Sequence, residues 1–337
     1  MATRSATSNV QFRLAARPIG LPQPSDWNVV AEPVAPPRDG EFLVQLDYIS
    51  LDPAMRGWMN EGRSYVKPVE IGAVMRAGGV GQVIESRNES FPVGAHVVGT
   101  FGVQQYAVSD GTGVFQVDEN IAPLSKFLSV LGMPGMTAYF GLLEIGKPEA
   151  GQTVVVSAAS GAVGQIVGQI AKIKGCRAVG IAGGPEKCRF IVDELGFDAA
   201  VDYKSAGLRD ALRESCPDRI DVYFDNVGGD ILDTALTLLA RHARVVLCGA
   251  ISQYCETGPR HGPANYMALL VDRARMEGFL VFDFFTRYPE AIREMAGWMA
   301  EGRLRSREHI VKGIDAFPDA FVGLFRGENF GKLMLEV

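Results

Sequence analysis

Long apolar runs are missing from this chain of 337 residues. No stretch of about 18 apolar residues occurs, so no membrane-crossing helix is expected. The opening stretch, Met1 to Arg17, has no apolar centre and reads as neither a signal nor an anchor. Cationic excess is also missing: 33 Lys and Arg against 39 Asp and Glu give a formal net charge of −6. That balance argues against a nucleic-acid partner, because a phosphate backbone repels such a surface. Cysteine is scarce. Cys176, Cys188, Cys216, Cys248 and Cys255 are odd in number and contain no C-x-x-C pair, which suits reduced thiols in a cytoplasmic protein. Histidine is scarcer still, with His96, His242, His261 and His309. None lies in a Gly-His-Glu sequence and no cysteine precedes His96. The Cys, His and acid ligands of a catalytic zinc are therefore missing, as is a C-x-x-C-x-x-C structural lobe, and no metal is expected. Short repeats and low-complexity segments are absent as well.

What is present is enough apolar residue, 47% of the chain, to bury a core. The length suits one large or two ordinary domains. The organising stretch is Thr153 to Gly164. Thr153–Ser157 is a short β-branched apolar run, which suits a buried parallel strand. Ala159-Ser160-Gly161-Ala162-Val163-Gly164 contains small residues only. Ile166, Val167, Ile170, Ala171 and Ile173 then follow at helical spacing. A strand, a tight small-residue turn and a helix N-terminus let backbone amides approach a pyrophosphate. The glycine pattern is degenerate, so its context carries the reading.

Before this stretch the chain is β-rich and cut by Gly and Pro. Strands are expected at 9–16, 27–31, 41–51, 73–86, after the turn at 93–95, and at 104–109. Together they suggest a partly closed barrel. Helices are expected at 124–132 and 136–143. From 153 onward strands at 153–157, 178–182, 200–202, 222–226, 243–247 and 278–282 alternate with helices at 164–174, 185–194, 205–215, 229–239 and 264–276. A last long helix is expected at 288–302. Six strands with intervening helices describe a doubly wound parallel sheet, so the class is α/β. The closing strand, 332–337, has no place in that sheet and is expected to return to the first domain.

An NAD-selective fold places an acid about 20 residues past the glycine turn. Here that position reads Ile181-Ala182-Gly183-Gly184-Pro185, with Lys187 and Arg189 close behind. A 2′-phosphate is repelled by an acid and held by a cation. Tyr203, after the next strand, could hydrogen-bond the same phosphate. NADP(H) is therefore expected over NAD(H).

Six ordered motifs then match a known family. They are Leu51-Asp52-Pro53-Ala54-Met55-Arg56-Gly57, Gly132-Met133-Pro134-Gly135-Met136-Thr137-Ala138-Tyr139, the turn Ala159–Gly164, Asp225-Asn226-Val227-Gly228-Gly229, Cys248-Gly249-Ala250-Ile251-Ser252-Gln253-Tyr254, and Gly327-Glu328-Asn329-Phe330-Gly331-Lys332. Through nearly its whole length the chain resembles the zinc-free medium-chain dehydrogenase/reductases, and within them the prostaglandin, alkenal and curcumin double-bond reductases. The resemblance implies a barrel-like substrate domain from both chain ends (1–127 and 305–337), with a Rossmann NADP domain (128–304) inserted, and commonly a homodimer. It implies Gly161, Ala162, Val163 and Gly164 at the pyrophosphate and Lys187 and Tyr203 at the 2′-phosphate. It puts Asn226, Cys248, Gly249, Ala250, Ile251, Ser252, Phe279, Leu280 and Val281 around the nicotinamide half, with Asn329 reaching it from the C-terminal segment. Many relatives carry Tyr where this chain has Ala54, at the edge of the substrate pocket. Ala54 would open that pocket or leave the wall to Trp58 or Tyr65.

Reduction of an activated C=C bond needs no metal. Negative charge develops on the carbonyl oxygen, and a hydrogen-bond donor aimed at it lowers the barrier. Tyr254 ends the loop after the 243–247 strand, where such a crevice lies. Position alone leaves it a donor or a packing aromatic; the resemblance favours the donor. Tyr48, Arg56, Met133 and Tyr266 are further pocket-wall candidates. The leading expectation is an NADPH-dependent reductase of α,β-unsaturated ketones and aldehydes. A quinone oxidoreductase of the same superfamily and a non-catalytic NADPH-binding protein are the alternatives.

Overall fold

The structure is a computed structural model that describes residues 8–259 and 262–337. The chain divides into two compact units, one of residues 1–128, 308–329 and 333–337, the other of residues 129–307 and 330–332. The opening segment Met1–Thr7 and His261 lie outside the described residues.

The first unit begins with an antiparallel pair, β1 (Ser8–Leu14) and β2 (Trp27–Pro33). Five more strands follow: β3 (Phe42–Ser50), β4 (Gly78–Ser86), β5 (His96–Thr100), β6 (Tyr106–Ser109) and β7 (Phe115–Val117). The short helix α1 (Ala54–Trp58) joins β3 to the loop before β4. β3 organises the sheet. Its first half pairs with β6, and β4 runs along its other side with irregularities at 43/44 and 46/48. Gly81 sits at that irregularity. A Cβ there would lie 2.1 Å from the Gln45 carbonyl oxygen, so only glycine lets the two backbones approach.

The second unit opens with α2 (Met133–Phe140) and a π-helical turn at Gly141–Gly146. Pro134 in the first turn and Gly132 at the cap explain why α2 starts at Met133, three residues earlier than the apolar spacing suggested. The expected 124–132 helix is a 3-10 turn, Leu124–Leu128. Then β8 (Thr153–Ser157), β9 (Arg177–Ala182), β10 (Ala199–Asp202), β11 (Ile220–Asp225), β12 (Leu239–Leu247) and β13 (Arg275–Gly278) form one parallel sheet in the order β10-β9-β8-β11-β12-β13. The helices between them are α3 (Gly164–Ile173), α4 (Pro185–Asp193), α5 (Leu208–Ser215), α6 (Gly229–Leu236) and α7 (Met267–Val271), with α8 (Tyr288–Ala300) after the sheet. Strand order reverses between β8 and β11, which opens a crevice at their carboxyl ends. Every residue of β8 is buried, as a strand covered on both faces requires.

Two expectations fail beyond β12. The helix read at 264–276 is only α7, and the strand read at 278–282 ends at Gly278. The apolar run Phe279–Phe285 is not a strand, because its aromatic rings pack sideways. Phe279 meets Phe224, and Phe284 stacks on Phe140 with centroids 4.8 Å apart. The chain there coils into a 3-10 segment, Val281–Arg287.

The chain then returns to the first unit as β14 (Glu308–Lys312), α9 (Phe317–Phe325) and β15 (Lys332–Glu336). β15 pairs antiparallel with the second half of β3, Met334 opposite Ser50, as expected of a strand excluded from the parallel sheet. Phe317 and Phe321 of α9 pack edge-on against Trp27 of β2 in the core of this unit. No helix among the described residues is long and apolar enough to cross a membrane.

Candidate active site

β8 hands the chain to the small-residue turn through Ala158, which adopts a positive φ of 50°. The Gly161 amide donates to the Ala158 carbonyl at 2.9 Å. A Cβ on Gly164 would stand 2.3 Å from that same oxygen, so glycine is required for α3 to start against the strand end. Behind the turn, two buried glutamines on one face of α3 act as substitute backbone. The Gln165 side-chain amide pairs with both the N–H and the C=O of Arg307, and Gln169 does the same with Arg305. The turn itself is closed by the Gly331 amide, which donates to the Ser160 carbonyl at 3.0 Å. The amides of the turn and of the α3 N-terminus suit a pyrophosphate.

The corner beyond β9 is cationic. Gly183 follows the strand, and a Cβ there would lie 2.8 Å from the Tyr203 ring and 3.0 Å from the Lys204 side chain. Lys187, on the first turn of α4, is half-buried beside Lys204. Burial first, and then the charge of Lys204, lower its pKa below the ordinary lysine value; exposed Glu186 opposes them with a smaller effect. An acid does stand nearby, Asp202 at the end of β10, but its Oδ1 accepts the Gly184 and Lys204 amides at 2.8 and 2.9 Å. Those bonds hold its carboxyl below the usual range and tie it to the backbone. Two ammonium groups drawn together beside a phenol suit a phosphate monoester, so the donor set fits the 2′-phosphate of NADP(H). Lys204 was not singled out in the sequence, although it adjoins Tyr203.

The third part is the crevice between β8 and β11. Asp225 ends β11 and is 1% exposed. Its Oδ1 accepts Ser157 Oγ at 3.0 Å, Tyr223 Oη at 3.2 Å and the Val227 and Gly228 amides at 3.1 Å. Burial lifts its pKa and these donors oppose that rise. The Asn226 side chain donates to the Ser157 carbonyl at 2.8 Å, across the gap between the two strands. The Cys248–Tyr254 loop lies on this turn. Burial, then the charge of Asp225, pushes the Cys248 thiol up to about 12, so it is no nucleophile at neutral pH. Half-buried Tyr254 turns its hydroxyl back over the loop, where the Ala250 amide donates to Oη at 3.2 Å. Oη would also lie 3.0 Å from a Cβ on Gly249.

The expected residues divide between the units. Gly161 to Gly164, Lys187, Tyr203, Asn226, Cys248 to Ser252 and Tyr254 belong to the second and cluster at the carboxyl ends of its strands. Met133, Phe279, Leu280 and Val281 are in the second unit too. Phe279 faces Gly141 and Phe224, Val281 is buried, and Leu280 is 37% exposed. Tyr266 is 58% exposed just before α7, so it does not pack that helix into the core. Tyr48, Ala54, Arg56 and Asn329 belong to the first unit. Arg56 is buried and gives its guanidinium to the Pro18 and Gly20 carbonyls and to Asn60, which makes it a clamp on the N-terminal loop. Trp58 Nε1 donates to Tyr65 Oη at 3.1 Å, one helical turn from Ala54. Among the described residues no group of three or more His, Cys, Asp or Glu side chains is placed to hold a metal ion.

Comparison with known proteins gives the same picture from another side. The family described as "N-terminal domain of oxidoreductase" matches residues 10–117, and that described as "Zinc-binding dehydrogenase" matches residues 162–297. The NADPH-dependent curcumin reductase of Escherichia coli is 43% identical, over 98% of this chain and 97% of its own. The NADP-dependent 2-alkenal reductase of Nicotiana tabacum is 41% identical, over 98% of each chain. CurA from Vibrio vulnificus, crystallised in complex with NADPH, superposes with a TM-score of 0.93 at 45% identity, over 97% of this chain and 99% of its own. A chain this similar to double-bond reductases from end to end belongs to the medium-chain dehydrogenase/reductase family, in its double-bond reductase branch.

Proposed function

We propose that this protein uses NADPH to reduce the C=C bond of α,β-unsaturated ketones and aldehydes. The observation that carries the reading is the Tyr254 hydroxyl, held over the crevice loop beside a nucleotide turn and a paired-lysine corner. Gly161 to Gly164 would hold the pyrophosphate, Lys187, Tyr203 and Lys204 the 2′-phosphate, and Asn226 and Cys248 to Ser252 the nicotinamide end. Bound NADPH supplies the hydride. Tyr254 would donate its O–H to the substrate carbonyl oxygen as the enolate forms, and could pass that proton to the α-carbon. The Ala250 amide, already on Oη, would offset the charge left on the phenol oxygen. In this reading the first unit carries the substrate, with Tyr48 and Ala54 as its pocket-wall candidates.

Mixing the protein with NADPH and a medium-chain 2-alkenone should oxidise NADPH and yield the saturated ketone; an allylic alcohol as product would refute C=C reduction. Turnover of a naphthoquinone but no enone would favour a quinone oxidoreductase, and no turnover of either a binding protein. Tyr254→Phe should lower kcat about 10²-fold with NADPH affinity retained.

The partner side is a second copy of this chain, in the cytoplasm. β13 is an edge of the parallel sheet. Around it Leu270, Val271, Tyr266, Met267, Phe282 and Phe285 are exposed, an apolar surface of the kind that marks association. Antiparallel pairing of two β13 strands about Met276 would set Arg275 of one copy opposite Glu277 of the other. The reduced thiols expected of the five cysteines would suit that compartment.

A further inference from the structure

We propose that Asp225 is a positioning residue for the reduction: its carboxylate fixes the turn on which the Tyr254 loop is built. The inference rests on Tyr254 as the proton donor.

The chain of bonds is short. The Asp225 carboxylate takes the Val227 amide on Oδ1 and the Gly228 amide on both oxygens, all at 3.1 Å, which shapes the turn 225–228. Gly228 makes that shape possible with a φ of 71° and ψ of −157°. The carbonyls of this turn then receive the next loop. Asp225 C=O accepts the amides of Cys248 and Gly249 at 2.9 and 3.1 Å, and Asn226 C=O accepts that of Ile251 at 3.2 Å. Val227 C=O accepts the Ser252 amide at 3.2 Å and its hydroxyl at 2.6 Å. Of the five successive amides from Cys248 to Ser252, four therefore end on the Asp225 turn. The fifth, Ala250, ends on Tyr254 Oη at 3.2 Å. The loop takes its register from the turn, and the phenol oxygen takes its place from the loop.

The turn needs a carboxylate and not merely a polar side chain. Oδ1 already receives Ser157 Oγ, Tyr223 Oη and the two amides, and Oδ2 receives Gly228. An asparagine of the same size would aim an N–H₂ at one of these donors. Donor against donor would open the turn, shift the Ala250 amide and misplace Oη. Misplacement by about 1 Å is enough to cost roughly 10²-fold in rate.

The test is a double-mutant cycle on the full chain, saturated with NADPH and read as kcat and KM for a 2-alkenone. Asp225→Asn should lower kcat about 10- to 100-fold with KM little changed, because orientation and not ground-state binding is lost. In a Tyr254→Phe background the same substitution should cost less than about 3-fold, since the group it positions is gone. Equal factors in both backgrounds would overturn the proposal and leave the catalytic reading of Tyr254 intact. A Tyr254→Phe enzyme with undiminished kcat would remove both. If Asp225→Asn does not fold, Ser157→Ala, which takes the 3.0 Å donor from Asp225 Oδ1 and the 2.9 Å acceptor from the Asn226 amide, takes its place in the cycle. The same non-additivity supports the proposal and independent losses overturn it.

Discussion

Lys187 has the clearest individual consequence. Its pKa is lowered by burial and by Lys204, so its ammonium is lost at lower pH than that of a lysine titrating near about 10.4. A bound phosphate favours the ammonium and pulls the pKa back up. NADPH affinity should therefore be full below the lowered pKa, fall as pH rises through it, and level off above the raised one. Lys187→Arg should keep affinity flat across that window, because the guanidinium does not titrate there. Isothermal titration from neutral to alkaline pH reads this directly, and an unshifted onset would show that Lys187 is not at the phosphate. Gln165 makes a stability prediction. Gln165→Ala takes the acceptor from the Arg307 amide, while the Arg307 carbonyl keeps the Lys332 amide at 2.9 Å, and should cost about 1–3 kcal/mol in urea unfolding. Part of this was legible in the residues: the small-residue turn follows β8 and Lys187 lies on α4 beside Lys204, whereas the acid that does stand there, Asp202, comes from the next strand. Lys204 and the Gln165 and Gln169 pairings were not, because they depend on which backbone lies opposite. No periodicity encodes that.

Elements set by buried β-branched runs, such as β8 to β12, could be read to within a few residues. Those set by side-chain geometry could not. Phe279–Phe285 looks like a strand by composition, yet its rings are drawn to Phe224, Phe140 and Tyr288. The true edge strand, Arg275–Gly278, was hidden because two of its four residues are charged and the stretch was absorbed into a helix. Those charges make its pairing testable. Within one chain Arg275 lies 3.5 Å from Glu277. Glu277→Arg should weaken the proposed dimer in sedimentation velocity, and adding Arg275→Glu should restore it. Opposed charges on paired strands are worth about 0.2–1 kcal/mol each, and two such pairs would recur across the two-fold axis. A wild-type chain that sediments as a monomer at micromolar concentration would end that reading.

For the whole chain the expectation of an α/β fold with a doubly wound sheet and a β-rich partner is met, because alternation of strand and helix is a long-range signal that single residues cannot disguise. Ligand linkage gives the test at this level. NADPH at a hundredfold excess over its Kd should stabilise the folded state by about 2.7 kcal/mol, a shift of several degrees in Tm. NADH at equal concentration should give much less, and Lys187→Ala should bring the two cofactors together.

The Gly331 amide on the Ser160 carbonyl has a bearing on synthesis. Translation passes Ser160 long before it reaches Gly331, so a growing chain holds every loop of the phosphate cradle before the strut that closes it.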